Sequence, residues 1–144
     1  MRLWHQTLIH YLPRQQLLGQ HRECCALRGK GWGKKHSVVD YVFKHDPALL
    51  YNYHLRVMQE MADRGYHITN SGWYSRIYRG KNTNDWTISE CGTYVARKST
   101  IIYPEHDDKY LKECLLNLQV KGAELVNGTS IAEMLLKLVL KTGI

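Results

Sequence analysis

Glu23 is the only carboxylate among the first 36 residues, and it lies in a strongly basic stretch. Seven lysine and arginine residues share that stretch with it. Helical spacing places Glu23 on a polar face of small residues beside Gln16 and Gln20. The surrounding positive charge is expected to keep the carboxylate ionised. A catalytic carboxylate fits this setting, although composition alone favours an ordinary solvated helix glutamate.

A glycine-rich basic loop, GKGWGKKH, follows at residues 29–36. Glycines allow backbone N–H groups to approach an anion, and the lysines add positive charge. The loop does not match a P-loop, because Arg28 occupies the position where that motif needs its first glycine. A nucleic-acid backbone fits this loop, and a merely flexible basic loop fits it nearly as well.

Residues 66–104 predict a long loop, or a short hairpin, in which aromatic side chains alternate with cations. Unpaired bases that stack beside phosphates need this combination, although about half of these aromatic residues are expected to pack in the core. The set comprises Trp73, Tyr74, Tyr78, Trp86 and Tyr94, with Arg76, Arg79, Lys81, Arg97 and Lys98.

Eight histidines and four cysteines raise the question of a metal site. His21 and Cys24 are three residues apart on one predicted helix, and Cys91, His106 and Cys114 could converge. No pair has the spacing of a strong zinc signature, so the sequence favours no bound metal. His21 and His54 fall on apolar stripes, which predicts hydrogen-bonded core histidines.

Length and charge indicate one compact domain with a polyanionic partner. The chain has 144 residues, 44% of them hydrophobic, and a net charge of +7. Residues 1–36 hold seven basic side chains against one acidic, and residues 66–104 hold five against two. Two separate basic segments favour nucleic acid as the partner. Without an apolar run for a membrane span or a signal peptide, we expect a cytoplasmic protein with reduced cysteines.

The elements that must position these residues are helices. One helix follows Pro13 and ends before Gly29, and a second begins at Pro47 after Asp46 and ends at Gly65. A third follows Asp107 or Asp108 and ends at Gly122, and a fourth is capped by Ser130. Each of the last three helices has an apolar stripe that is expected to face the core: Leu50, Tyr53, His54, Val57, Met58 and Met61 on the second, Tyr110, Leu111, Cys114, Leu115 and Leu118 on the third, and Ile131, Met134, Leu135, Leu138 and Val139 on the fourth. The short apolar stretch 38–43 fits one or two helical turns or a strand, and we favour the helix. The sequence thus predicts an all-α domain of four to five helices with a long basic, aromatic-rich loop.

Several segments, in the same order, resemble the pyrimidine-dimer DNA glycosylase family, the endonuclease V type of phage, and most closely its bacterial branch of small proteins. They cover most of residues 1–122, and the Arg22-Glu23 pair is the most specific. The segments are MRLWHQTLI, LLGQHRE, GKGWGKKH, MADRGYHI and YPEHDDKYLKECLLNLQVKG. Residues 123–144 look like a C-terminal helical extension that packs on the domain or on a partner.

The resemblance implies a domain that binds duplex DNA, flips a nucleotide opposite the lesion, and cleaves the glycosidic bond and then the strand. In that family the N-terminal α-amine attacks C1′ to form an imine. The phage-type enzymes expose a threonine after methionine removal. Here residue 2 is arginine, so Met1 itself is implied to supply the amine. Glu23 is implied to support the positively charged intermediate and its proton transfers.

We therefore expect a DNA repair glycosylase with abasic-site lyase activity, without metal or cofactor, in the cytoplasm at the nucleoid. The C-terminal helix is a candidate for a homodimer contact. A further family arginine is Ala26 here, with Arg28 the nearest substitute. A non-catalytic nucleic-acid-binding protein of the same fold is the alternative, and a structural or metal-binding protein is a second. The predicted DNA contacts are Arg2, Arg22, Arg28, Lys30, Lys34, Lys35 and His36.

Overall fold

Four α-helices and one short 3-10 helix make up the secondary structure of the computed structural model, which describes residues 3–27, 47–67 and 102–143. The 3-10 helix spans Gln6–Leu8. The α-helices are α1 (Arg14–Leu27), α2 (Pro47–Asp63), α3 (Asp108–Val120) and α4 (Ile131–Thr142). No strand occurs within the described ranges. The predicted all-α fold is therefore confirmed for these parts of the chain.

The helix ends follow from local residue types, as predicted. The Asp107 side chain accepts a hydrogen bond from the Tyr110 N–H at 2.8 Å, and Ser130 accepts one from the Glu133 N–H at 3.1 Å. Both contacts satisfy backbone donors that a helix N-terminus leaves unpaired. Gly65 follows α2 with φ of +83°, a conformation that glycine adopts without steric cost.

Helix α2 supplies one wall of the core and packs against α1. Its predicted apolar stripe is buried throughout: Leu50, Tyr53, His54, Val57, Met58 and Met61. Leu17, Cys24 and Leu27 are the fully buried apolar residues of α1. This packing determines which face of α1 lies against α2. The α1 residues on its other faces remain available to contact a substrate.

Hydrogen bonds hold the last residues of the N-terminal segment, just before α1. The Arg64 guanidinium donates to the carbonyl oxygens of Leu12 at 2.7 Å and His10 at 3.0 Å. Arg64 also pairs with Glu60, whose other carboxylate oxygen lies 2.9 Å from His10 Nδ1. The Val126 N–H donates to the Tyr11 carbonyl at 2.9 Å. Residues before α1 are thus tied to both α2 and the segment after α3.

Helix α4 packs against α3, and its apolar stripe is only partly buried. Leu138 is buried, and Ile131, Met134 and Leu135 pack against the core. Val139, predicted to belong to the buried stripe, is 42% exposed, because it lies at the edge of the side of α4 that packs on the core. None of the described helices is long and apolar enough to cross a bilayer. None of the three described cysteines, Cys24, Cys25 and Cys114, forms a disulfide.

Candidate active site

Glu23 lies in the last two turns of α1 and is half-buried. Burial raises the pKa of its carboxyl, and the positive charge of the chain's N-terminus acts in the opposite direction. The basic sequence around Glu23 predicted a carboxylate held ionised by neighbouring cations. In the structure desolvation has the larger effect, so Glu23 gives up its proton less readily than a solvated glutamate.

Arg22 precedes Glu23 on α1 and is exposed. Its guanidinium lies back over the previous turn, where a Cβ built on Gly19 would be 3.9 Å from Arg22 Nη2. A cation on the exposed side of α1, next to a half-buried carboxylate, is suitably placed to bind a phosphate.

The chain start is anchored to α1 one helical turn before Glu23. The Trp4 N–H donates to Gln20 Oε1 at 2.8 Å. The Tyr53 hydroxyl donates to the Trp4 carbonyl at 2.5 Å and lies 3.1 Å from the same Gln20 oxygen. Tyr53 is fully buried and Gln20 is 2% exposed. These paired contacts fix both the position and the direction of the backbone at Trp4.

Residues on either side of Trp4 are held in the same way. The Tyr110 hydroxyl donates to the Leu3 carbonyl. The Gln6 N–H donates to His106 Nδ1 at 3.2 Å, and the rings of His5 and His106 stack with centroids 5.2 Å apart. Burial lowers the pKa of His106 to about 3, and the charge of His5 acts in the same direction. A neutral, buried aromatic group therefore supports the first described residues.

This anchoring brings the backbone at Trp4 close to the part of α1 that carries Glu23. Gln20 and Glu23 are three residues apart on α1, a rise of about 4.5 Å. The contact between Trp4 and Gln20 therefore lies within one helical turn of Glu23.

Most of the predicted site residues lie outside the described ranges. These are Met1, Arg2, Arg28, Lys30, Lys34, Lys35 and His36, together with the aromatic and basic residues between 68 and 101. The predicted helix at 38–43 and the predicted hairpin also lie outside them. Of the predicted site residues, the structure describes Arg22 and Glu23, which are adjacent on α1.

His21 and His54 meet between α1 and α2, as hydrogen-bonded core histidines should. His21 Nδ1 lies 2.9 Å from His54 Nε2. His54 is fully buried, and His21 is half-buried. Burial lowers the pKa of His21, and the charge of Arg22 lowers it further. Cys25 joins this pair, with Sγ 3.8 Å from His21 Nε2 and 3.9 Å from His54 Nε2.

Sequence reasoning missed Gln20, Tyr53 and Tyr110 as parts of the site. Helical spacing placed Gln20 on the polar face of α1, and the structure shows that the N-terminal segment covers it there. Tyr53 and Tyr110 were expected to face the core, but nothing in their spacing indicated that their hydroxyls bind the backbone of residues 3 and 4.

Comparison with known proteins decides the family. A family model described as pyrimidine dimer DNA glycosylase matches residues 1–73, half of the chain. The chain belongs to this family. The match contains α1 with Glu23, the anchored N-terminal segment, and α2. The family name implies a DNA glycosylase activity and DNA as the substrate. No curated protein matches the chain, and no solved structure matches it.

Proposed function

We propose that this chain is a DNA repair glycosylase that cleaves a glycosidic bond at a pyrimidine dimer or a related base lesion and then cleaves the strand as an abasic-site lyase. The observation that carries the proposal is the anchoring of Trp4 to Gln20 and Tyr53, one turn from Glu23. Met1 precedes Trp4 by three residues, which span at most about 11 Å. The anchoring therefore supports an N-terminal amine that reaches the half-buried Glu23, inside the segment that the family model matches. The bacterial branch of the phage-type enzymes remains our interpretation of residues 1–122.

The α-amine of Met1 is the proposed nucleophile. Its pKa of about 8, against about 10.4 for lysine, leaves roughly a few hundred times more neutral amine near pH 7. The nitrogen lone pair attacks C1′ of the damaged nucleotide, and the glycosidic bond breaks as the base nitrogen takes up a proton; in a dimer this base stays joined to its partner base. Loss of the amine protons and opening of the sugar ring give an imine. Removal of a C2′ proton then expels the 3′ phosphate by β-elimination.

Glu23 is proposed to stabilise the positive charge that develops on this imine and to exchange protons with it. Its half-buried position supports this role, because an ion pair is stronger where water is partly excluded. A fully solvated glutamate would be screened, and a fully buried one could not meet the DNA. Neither the imine nor the elimination requires a metal or a cofactor.

DNA backbone contacts are proposed for Arg22, which is exposed beside Glu23. The same role is proposed for Arg2, Arg28, Lys30, Lys34, Lys35 and His36. The basic excess of residues 1–36 supports this assignment, since phosphate contacts supply much of the affinity for DNA. An enzyme acting on chromosomal DNA would work in the cytoplasm at the nucleoid.

A cleavage assay on three matched duplexes tests this proposal. One duplex carries a single cyclobutane pyrimidine dimer, one an abasic site at the same position, and one no lesion. We expect incision of the first two and none of the third. Incision of abasic DNA alone would keep the lyase and refute the dimer substrate. Tight binding of all three without incision would favour the alternative, a non-catalytic nucleic-acid-binding protein.

A further inference from the structure

Three metal-ligating side chains converge between α1 and α2. His21 and Cys25 lie four residues apart on α1, and His54 faces them from α2. One donor atom from each residue can be chosen so that all three lie within 4.8 Å of one another. Within the described residues this is the one group of three such side chains.

The two helices hold these side chains in place. Residues at i and i+4 are neighbours on a helix surface, which brings His21 and Cys25 to the same side of α1. Fully buried side chains flank the group on both helices, Cys24 on α1 and Tyr53 and Val57 on α2. His54 is fully buried, whereas His21 and Cys25 are partly exposed. The group therefore has a rigid inner end and a side that solvent can reach.

The distances are close to those around a cation of the zinc type. Zinc binds imidazole nitrogen at about 2.0–2.1 Å and thiolate sulfur at about 2.3 Å, so its tetrahedral ligands lie roughly 3.3–3.6 Å apart. His54 Nε2 lies 2.9 Å from His21 Nδ1 and 3.9 Å from Cys25 Sγ. Cys25 Sγ lies 3.8 Å from the other ring nitrogen of His21, Nε2. A rotation of the His21 ring and small side-chain shifts would bring one donor atom from each residue to one ion.

The group is separate from the proposed active site. Helical residues advance by about 100°, so Glu23 lies about 200° around α1 from His21, while Cys25 lies about 40° from it. An ion held there would bind α1 on the side that packs against α2. It would join the helix that carries Glu23 to the helix that carries Tyr53, so its role would be structural.

We propose that His21, Cys25 and His54 bind one zinc-type divalent cation, with water as the fourth ligand. The two neutral imidazoles supply nitrogen lone pairs. The Cys25 thiol releases its proton to solvent as the sulfur–metal bond forms. Without the ion, the two histidines hydrogen-bond to each other. The sequence favoured no metal because no pair of these residues has the spacing of a strong zinc signature, and His54 completes the group from a different helix.

Cobalt titration of the reduced, chelator-stripped full chain tests the site, because a thiolate bound to Co²⁺ gives a charge-transfer band. We expect the band to saturate at one Co²⁺ per chain and to be displaced by Zn²⁺. The band should be lost in Cys25→Ser and in His54→Gln and retained in the matched control Cys24→Ala. Absence of the band in the unmodified chain, or its persistence in Cys25→Ser, would overturn the proposal.

Thermal unfolding gives a second readout that does not depend on colour. A ligand that binds the folded state raises the unfolding midpoint. Zn²⁺ should raise it in the unmodified chain and in Cys24→Ala, and should leave it unchanged in Cys25→Ser. Circular dichroism of each metal-free variant checks that it is folded. An equal rise in Cys25→Ser would place the bound metal elsewhere and refute this site.

Discussion

Glu23 is half-buried on a helix whose other side is packed, and its pKa is raised by that burial. Replacing it with glutamine keeps the side-chain shape and removes the charge. We predict that Glu23→Gln slows strand cleavage about a hundredfold or more, the scale of a lost electrostatic or acid/base group. Single-turnover cleavage of abasic DNA measures this rate. Glu124→Gln, at an exposed position outside the helices, is the matched control and should cleave normally. Equal rates in both variants would remove Glu23 from the chemistry.

His106 makes folding stability depend on pH. Its pKa is lowered from 6.5 to about 3. Between these two pH values His106 therefore binds a proton in the unfolded chain but stays neutral in the folded chain. Its contribution to stability is therefore present above pH 6.5 and is lost as the pH falls towards 3. Between pH 7.5 and pH 5 we predict a loss of about 2 kcal/mol from this residue.

Urea unfolding at the two pH values measures this loss. His106→Asn retains an oxygen that can accept from the Gln6 N–H, and it should show a clearly smaller pH dependence than the unmodified chain. Some dependence remains, because burial also lowers the pKa of His5. His67→Asn changes an exposed histidine and should behave like the unmodified chain. Identical pH dependence in all three proteins would contradict the assignment to His106.

The anchoring of the N-terminal segment to α1 depends on Gln20. Replacing it with leucine leaves the Trp4 N–H without its partner in a nearly buried place. We predict that Gln20→Leu lowers the free energy of unfolding by about 1–3 kcal/mol. It should also reduce cleavage, because the proposed approach of the amine to Glu23 depends on this contact. Gln15→Leu makes the same change on the exposed side of α1 and should alter neither quantity. Lost stability with unchanged cleavage would show that this contact does not position the amine.

The sequence predicts a feature well where residues close along the chain determine it. The stripe Leu50–Met61 and the caps at Asp107 and Ser130 were predicted correctly, since periodicity and residue type determine them. Gln20 was not, because its burial arises from a contact with Trp4, sixteen residues away. For a metal site the sequence analysis considered Cys24 beside His21, whereas Cys25, four residues after His21, is also its neighbour on a helix. Only the packing of α2 selects Cys25, since His54 approaches from that side.

Helix α4 leaves an apolar surface that a homodimer would cover. Leu136, Val139 and Leu140 are 60%, 42% and 77% exposed at neighbouring helical positions. We predict that Leu136→Glu and Leu140→Glu each shift the chain from dimer to monomer in sedimentation velocity, because a charge would be buried in the contact. Val120→Glu, at an 88% exposed position of α3, should leave the dimer intact. A chain that is monomeric before any substitution would contradict the dimer.

The division into residues 1–122 and a C-terminal extension stays a prediction.

The account as a whole depends on the N-terminal amine being the attacking group. Borohydride reduces an imine to a stable amine, so it traps the enzyme on abasic DNA if the proposed intermediate forms. We predict one adduct per chain, on a peptide that begins at Met1, and loss of trapping but not of DNA binding when the N-terminus is acetylated. An adduct on Lys34 or Lys35 would keep the lyase and refute the nucleophile. Absence of any adduct from a chain with an open N-terminus and tight DNA binding would contradict the account.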